Sequence, residues 1–253
     1  MHLFKRLISI GAAAAFTVTT GFAQDGPSMS MVTLLEVTPA KEQQFDSAWM
    51  TIKEIATEND YPYTEFVGGM RNERWIATPI NSYADVDAVF AAREAVTEAG
   101  GKKYKKAIAS FQDALMTSHT FFTQRDADLS YSPEGSEPGP FMEIDSFQYQ
   151  YGADEEMESI LADYKALMES KQSPYAYEVN WDGLGVEGNS ITIISFAENA
   201  VAMAQANAAI NEMLEGDEAA EALFARFLAI SGGSETMHSV FNPEATINMP
   251  SPE

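Results

Sequence analysis

An α+β fold of two tandem βαββαβ units, packed sheet to sheet as an internal pseudo-dimer, is the architecture that this 253-residue sequence predicts. Three observations carry the prediction. Runs with strand-like alternation and runs with a helical apolar stripe follow one another in the order β, α, β, β, α, β. After a stretch rich in Pro, Gly, Ser and acid, the same order recurs. Strand runs as apolar as "TLLEV" and "ITIISF" need cover on both faces. A βαββαβ unit puts its helices on one face only, so a second sheet has to cover the other.

The first unit is expected over residues 24–124. "MVTLLEV" at 31–37 is a β-rich run closed by "TPA". "AKEQQFDSAWMTIKEIATEN" then spaces Phe45, Trp49, Ile52 and Ile55 by three and four residues, one stripe of an amphipathic helix. "YPYTEFVGGM" and "WIATPI" flank the turn "RNER" as a hairpin. "SYADVDAVFAAREAVTEAG" is a helix stopped at Gly100 and Gly101, "KKYKKAIASFQDALM" a second helical piece, and "TSHTFFTQ" the closing strand.

Residues 125–140, "RDADLSYSPEGSEPGP", have the composition of a linker. The second unit, 141–253, opens with the strand "FMEIDSFQYQYG" and the helix "ADEEMESILADYKALMESKQ", whose Met157, Ile160, Leu161, Tyr164 and Met168 share a face. "PYAYEVNW" and "SITIISF" form its hairpin around the Gly-rich "DGLGVEGN", which is turn chemistry rather than a phosphate loop. Two helical runs and "TMHSVF" complete it. Pro62-Tyr63 and Pro174-Tyr175 fall at matching places, each at the entrance of a second strand.

Residues 1–23 have the form of a signal peptide: a basic start, the apolar "LISIGAAAAFTV", and small residues Gly21 and Ala23 before the cleavage point. A periplasmic or secreted, soluble protein is therefore expected. Without cysteine there are no disulfides, thiol nucleophiles or thiolate metal sites, so stability has to come from a packed core. Setting aside Lys5 and Arg6 leaves 13 basic against 38 acidic residues, a charge of −25. That balance argues against nucleic acid and anionic membrane as partners.

The stretch "LLEVTPAKEQQFDSAW" resembles the first strand and helix of the dimeric α+β barrel superfamily, whose subunits are ferredoxin-like, in particular the antibiotic biosynthesis monooxygenase (ABM) and NIPSNAP-like types. Thr38, Pro39, Ala40, Lys41, Glu42 and Phe45 carry the resemblance, with Ala40 where the family often has Gly. The second half matches in element order only. The superfamily hosts oxygenases, haem enzymes, isomerases and simple binders, so the resemblance implies a fold more than an activity. Its haem-degrading members use Asn, Trp and His, with the axial His on a helix. This chain has Asn180-Trp181 and Trp49, but its histidines fall in strand runs, and no cofactor is expected.

His119 and His238 occupy the closing strand of each half and, with Glu143 and Asp145 of the second half's first strand, are the catalytic candidates. An imidazole or a carboxylate on a buried face could serve as a base. Glu36 is a further acidic position of this kind. No HxH, HExxH or His-carboxylate cluster appears, so no metal site is expected. Tyr175, Tyr177, Val179 and Trp181 share a strand face that would suit a flat ligand, and with Tyr63 the aromatic members are the candidate ligand-binding residues. An aromatic stripe of this kind also builds an ordinary core.

The leading expectation is an exported α+β barrel protein that binds a small apolar or aromatic molecule. A cofactor-independent ABM-like monooxygenase acting on a phenolic substrate is the alternative from the enzyme class. A structural or interaction module with a filled barrel is the third. The chain is expected as a monomer, through its internal pseudo-dimer, or as a homodimer.

Overall fold

The computed structural model describes residues 28–136 and 138–250, and the expected signal peptide lies outside them. Eight strands and five α-helices are present among the described residues, grouped in two compact units. The N-terminal unit takes residues up to 123 together with 240–250, and the C-terminal unit takes 124–239. Each boundary falls inside a long strand, so each unit is completed by the end of a strand that begins in the other half of the sequence. No helix among the described residues is long and apolar enough to cross a membrane.

In the N-terminal unit β1 (Met29–Val37) runs antiparallel to β3 (Glu73–Ile80), and β2 (Phe66–Met70) pairs with the other edge of β3. The last residues of β8 (Ser231–Phe241) add to β2, with Phe241 opposite Gly68 and Val240 opposite Gly69. Gly68 is required because a side chain there would collide with the Trp75 ring. Helix α1 (Glu42–Glu58) buries Phe45, Trp49, Ile52 and Ile55, the predicted stripe. A capping box between Ser82 and Asp85 leads into α2 (Val86–Ala114), which is two helical pieces joined across a kink. Gly101 makes the kink with φ 55°, a left-handed conformation suited to glycine. The helix stop expected at Gly100 and Gly101 falls at this kink, and the second helical piece expected after it follows directly.

In the C-terminal unit β5 (Phe141–Tyr149) and β6 (Tyr177–Asp182) flank β7 (Asn189–Ala197), all antiparallel. Helix α3 (Asp154–Ser170) buries all five residues of its predicted face. Two separate helices, α4 (Ala200–Leu214) and α5 (Glu218–Ile230), stand where the N-terminal unit has one kinked helix. Asn199 and Asp217 cap them, each accepting two backbone N–H groups.

The linker expected from residue 125 starts later, because β4 (Leu115–Tyr131) continues through Tyr131. Leu129, Ser130 and Tyr131 are buried, and the Asp126 carboxylate accepts from the backbone of Asp128 and Leu129 and from the Trp181 indole. Only the later part of the 125–140 stretch carries its Pro and Gly. The first seven residues of the stretch, 125–131, are the end of β4.

Candidate active site

Between the sheet and helices of the N-terminal unit lies a cavity of about 210 Å³. Strand β1 contributes Thr33 and Leu35, α1 contributes Trp49 and Ile52, and α2 contributes Val96, Tyr104 and Phe111. Ile76 of β3 and Ile247, from the segment after β8, close it. The walls are apolar and aromatic, with Trp49 and Phe111 rings 5.9 Å apart.

Three polar side chains converge on this apolar space. Tyr61 donates its hydroxyl proton to Glu65 Oε1 at 2.7 Å. Arg93 donates to the same oxygen through Nε at 3.0 Å and Nη2 at 2.8 Å, and its Nη2 also reaches Thr78 Oγ1 at 3.3 Å. Glu65 is 5% exposed. All three bonds fall on Oε1, and Oε2 receives no donor among the described residues. Burial raises the Tyr61 phenol well above its ordinary range, and the Glu65 charge adds to that. Burial works against the Arg93 charge, but Glu65 and Tyr61 outweigh it and hold the guanidinium above its ordinary value. The Tyr104 hydroxyl is likewise raised, by burial and then by Glu65, with Arg93 opposing.

The segment after β8 fixes this cluster. Glu65 N–H donates to the Ile247 carbonyl at 3.2 Å, and Ile247 N–H donates back at 3.0 Å. The Trp49 indole donates to the Ala245 carbonyl at 2.8 Å, and the Asn248 amide donates to the carbonyls of Tyr61 and Tyr63. The arrangement thus sets a buried carboxylate, with one oxygen crowded by donors, beside a cation in an apolar-walled cavity.

Sequence reasoning missed Tyr61, Glu65 and Arg93 as a group, because they come from a loop, a strand entrance and a helix. One signal was present. Val89, Arg93 and Val96 fall at helical positions i, i+4 and i+7, so a cation interrupts the buried stripe of α2.

The sequence-predicted catalytic candidates lie elsewhere. In the C-terminal unit, His238 Nε2 is 3.0 Å from Glu143 Oε2, and Thr236 donates to Asp145 Oδ1 at 2.5 Å. Glu143 and Asp145 are buried, and the His238 imidazole is half exposed against the Phe141 ring. His119 in the N-terminal unit is exposed and stacks on Phe121, while Glu36 accepts from Thr117. The two histidines therefore hold similar places in their strands but have different partners. Among the described residues no group of three or more His, Asp or Glu is placed to hold a metal ion.

The predicted ligand-binding aromatics of the C-terminal unit form its core. Tyr175, Tyr177 and Val179 pack with Tyr164, Met168 and Ile210, and Trp181 is partly buried against the same cluster. A pocket of about 40 Å³ lies in this unit among Ile160, Tyr164, Ile191, Leu214 and Phe227. Tyr63 is partly buried beside Tyr61, with ring centroids 5.7 Å apart.

The sequence matches no protein-family model and no curated protein. In structure, the chain is similar to an anthrone oxidase-like protein, with 18% identity over 87% of this chain and 93% of that one and a TM-score of 0.59. It is also similar to a candidate monooxygenase from Fusobacterium nucleatum subsp. nucleatum (11% identity, 86% and 94% covered, TM-score 0.52). A candidate monooxygenase from Lactobacillus acidophilus NCFM is similar to the same degree (7% identity, 86% and 94% covered, TM-score 0.51). At these identities the likeness is one of fold, and that fold agrees with the dimeric α+β barrel resemblance.

Proposed function

We propose that the cavity of the N-terminal unit is the active site of a cofactor-independent oxygenase acting on a small phenolic or enolisable aromatic molecule. Glu65 is the general base, Arg93 stabilises the anion formed, and dioxygen is the oxidant. The observation that carries this reading is the crowding of three donors onto Glu65 Oε1, with Oε2 left free in an apolar, aromatic-walled cavity. The similarity in fold to an anthrone oxidase-like protein and to candidate monooxygenases supports the oxygenase class over simple binding.

The reaction balances without a cofactor. For an aryl ketone with an acidic CH₂ group, Glu65 Oε2 takes one proton and leaves a resonance-stabilised carbanion. The carbanion passes one electron to dioxygen, and the two radicals combine to a C–O bond. Loss of the second C–H proton with cleavage of the O–O bond gives a new carbonyl, and the departing oxygen leaves as water with the proton held by Glu65. The CH₂ loses two hydrogens, and dioxygen supplies one oxygen to the product and one to water. The cavity lies below the roughly 300–1,000 Å³ of drug-sized sites, which favours a compact fused-ring molecule.

Oxygen uptake above the autoxidation rate, measured with 1-naphthol and anthrone, tests the reading. Glu65→Gln should lower turnover by roughly 10²-fold or more, the usual contribution of a positioned base, while ligand binding persists. Unchanged turnover in that variant would overturn the assignment of Glu65. Binding with no oxygen uptake in the wild-type protein would favour a carrier instead.

We also read the two halves as copies of one unit. The left-handed residues Asp60 (φ 52°) and Gln172 (φ 51°) precede the two Pro-Tyr pairs at the same distance. Export as a soluble protein is part of the same proposal, resting on residues 1–23 and tested by N-terminal sequencing of exported protein.

A further inference from the structure

We infer that Ile247, carried by the segment after β8, is the residue that sets which molecules the cavity admits; the inference rests on the cavity being the ligand site. A comparison within the chain supports it. In the N-terminal unit the Val67 N–H donates to Thr246 Oγ1 at 3.3 Å, and in the C-terminal unit the Val179 N–H donates to Ser130 Oγ at 2.9 Å. Val67 and Val179 hold the same place in their strands, five residues after the Pro of each Pro-Tyr pair. Ser130 and Thr246 are thus counterparts, and the residue after each is Tyr131 or Ile247. In both units the incoming segment also ties down a carbonyl at the strand entrance. Tyr131 donates its hydroxyl to Ser173 O at 2.7 Å, and Asn248 donates to Tyr61 O.

What differs is the side chain that enters the interior. Tyr131 places its ring 6.0 Å from that of Tyr177, and both are packed in the buried core of this unit. Ile247 is 1% exposed, lines the cavity, and leaves it open. A tyrosine at this position is compatible with the fold, since the other unit carries one. Ile247 also holds Glu65 through two backbone hydrogen bonds, so the base and the wall that limits substrate size are set by the same residue. Side-chain replacement alters the wall and keeps both of those bonds.

The test is equilibrium dialysis of 1-naphthol and anthrone against the full chain, without oxygen, for the wild type, Ile247→Tyr and Ile247→Ala, with thermal melting of each. Ile247→Tyr should weaken 1-naphthol binding by roughly tenfold or more, and Ile247→Ala should shift preference toward the three-ring anthrone by a similar factor, as for a few methylene groups in an apolar pocket. Binding in both variants like that of the wild type would overturn the role of Ile247 and leave the cavity reading standing. Failure of the wild-type protein to bind either probe would overturn both. Should Ile247→Tyr not fold, the preference of Ile247→Ala decides alone.

Discussion

The N-terminal unit keeps a cavity of about 210 Å³, whereas the pocket between sheet and helices of the C-terminal unit measures about 40 Å³. Counted from the two Pro-Tyr pairs, Ile52 and Ala56 of α1 correspond in position to Tyr164 and Met168 of α3, and Glu65 to Tyr177. Larger or apolar side chains in the C-terminal unit occupy volume that stays open in the N-terminal unit. Placing Tyr61, Glu65 and Arg93 in an interior has a cost, because a buried carboxylate is tolerated only with partners. In the C-terminal unit the buried carboxylates Glu143 and Asp145 meet His238 and Thr236 instead.

The largest effect that would sharpen this contrast is in the filled unit. Met168→Ala should cost about 2–5 kcal/mol, as buried methionines do on truncation, whereas Ala56→Met should cost under about 1.5 kcal/mol if its side chain enters existing space. Chemical denaturation of both variants checks this, and equal losses would break the contrast.

Next comes the ion pair. Arg93→Met leaves Glu65 buried beside Tyr61 alone, and should destabilise by roughly 2–4 kcal/mol, at or below the range for a fully buried pair because Arg93 keeps about a third of its side chain exposed. The double variant Arg93→Met with Glu65→Gln should recover part of that loss. A double variant less stable than the sum of the singles would refute the view that the carboxylate is held by the cation.

Smaller effects of opposite sign are expected at two tyrosines. Tyr61→Phe removes a hydrogen bond to Glu65 and should cost about 1 kcal/mol. Tyr177 has a buried hydroxyl with no partner among the described residues, so Tyr177→Phe should be neutral or stabilising by up to about 1 kcal/mol. A clear loss of stability in Tyr177→Phe would show that its hydroxyl is satisfied.

The smallest effect is in pH dependence. The Tyr61 phenol is raised above its ordinary value of 10.0, so its neutral form is favoured in the folded state. Its contribution to stability is fully present below pH 10.0 and is lost as pH rises beyond that toward its folded value. The rate of oxygen uptake should therefore show no alkaline fall from this group below pH 10.0, and Tyr61→Phe should leave that limb unchanged. A fall that vanishes in Tyr61→Phe would contradict the shielding of this phenol.

The sequence alone determined the element order and the buried faces of α1 and α3, because a 3.6-residue period and a two-residue alternation are local properties of the chain. It also carried a hint of the site in Arg93, a cation on an apolar stripe. The tertiary structure decided which half is hollow. Strand alternation states that Tyr175, Tyr177 and Val179 share a face, but whether that face lines a cavity or fills a core depends on Tyr164, Met168, Ile210 and Tyr131, contributed by distant parts of the chain. Glu143 and His238, 95 residues apart, and Glu65 and Arg93, 28 apart, meet only because strands and helices bring them together. A hydrogen-bond partner is a property of three-dimensional distance, and composition, periodicity and spacing carry no record of it.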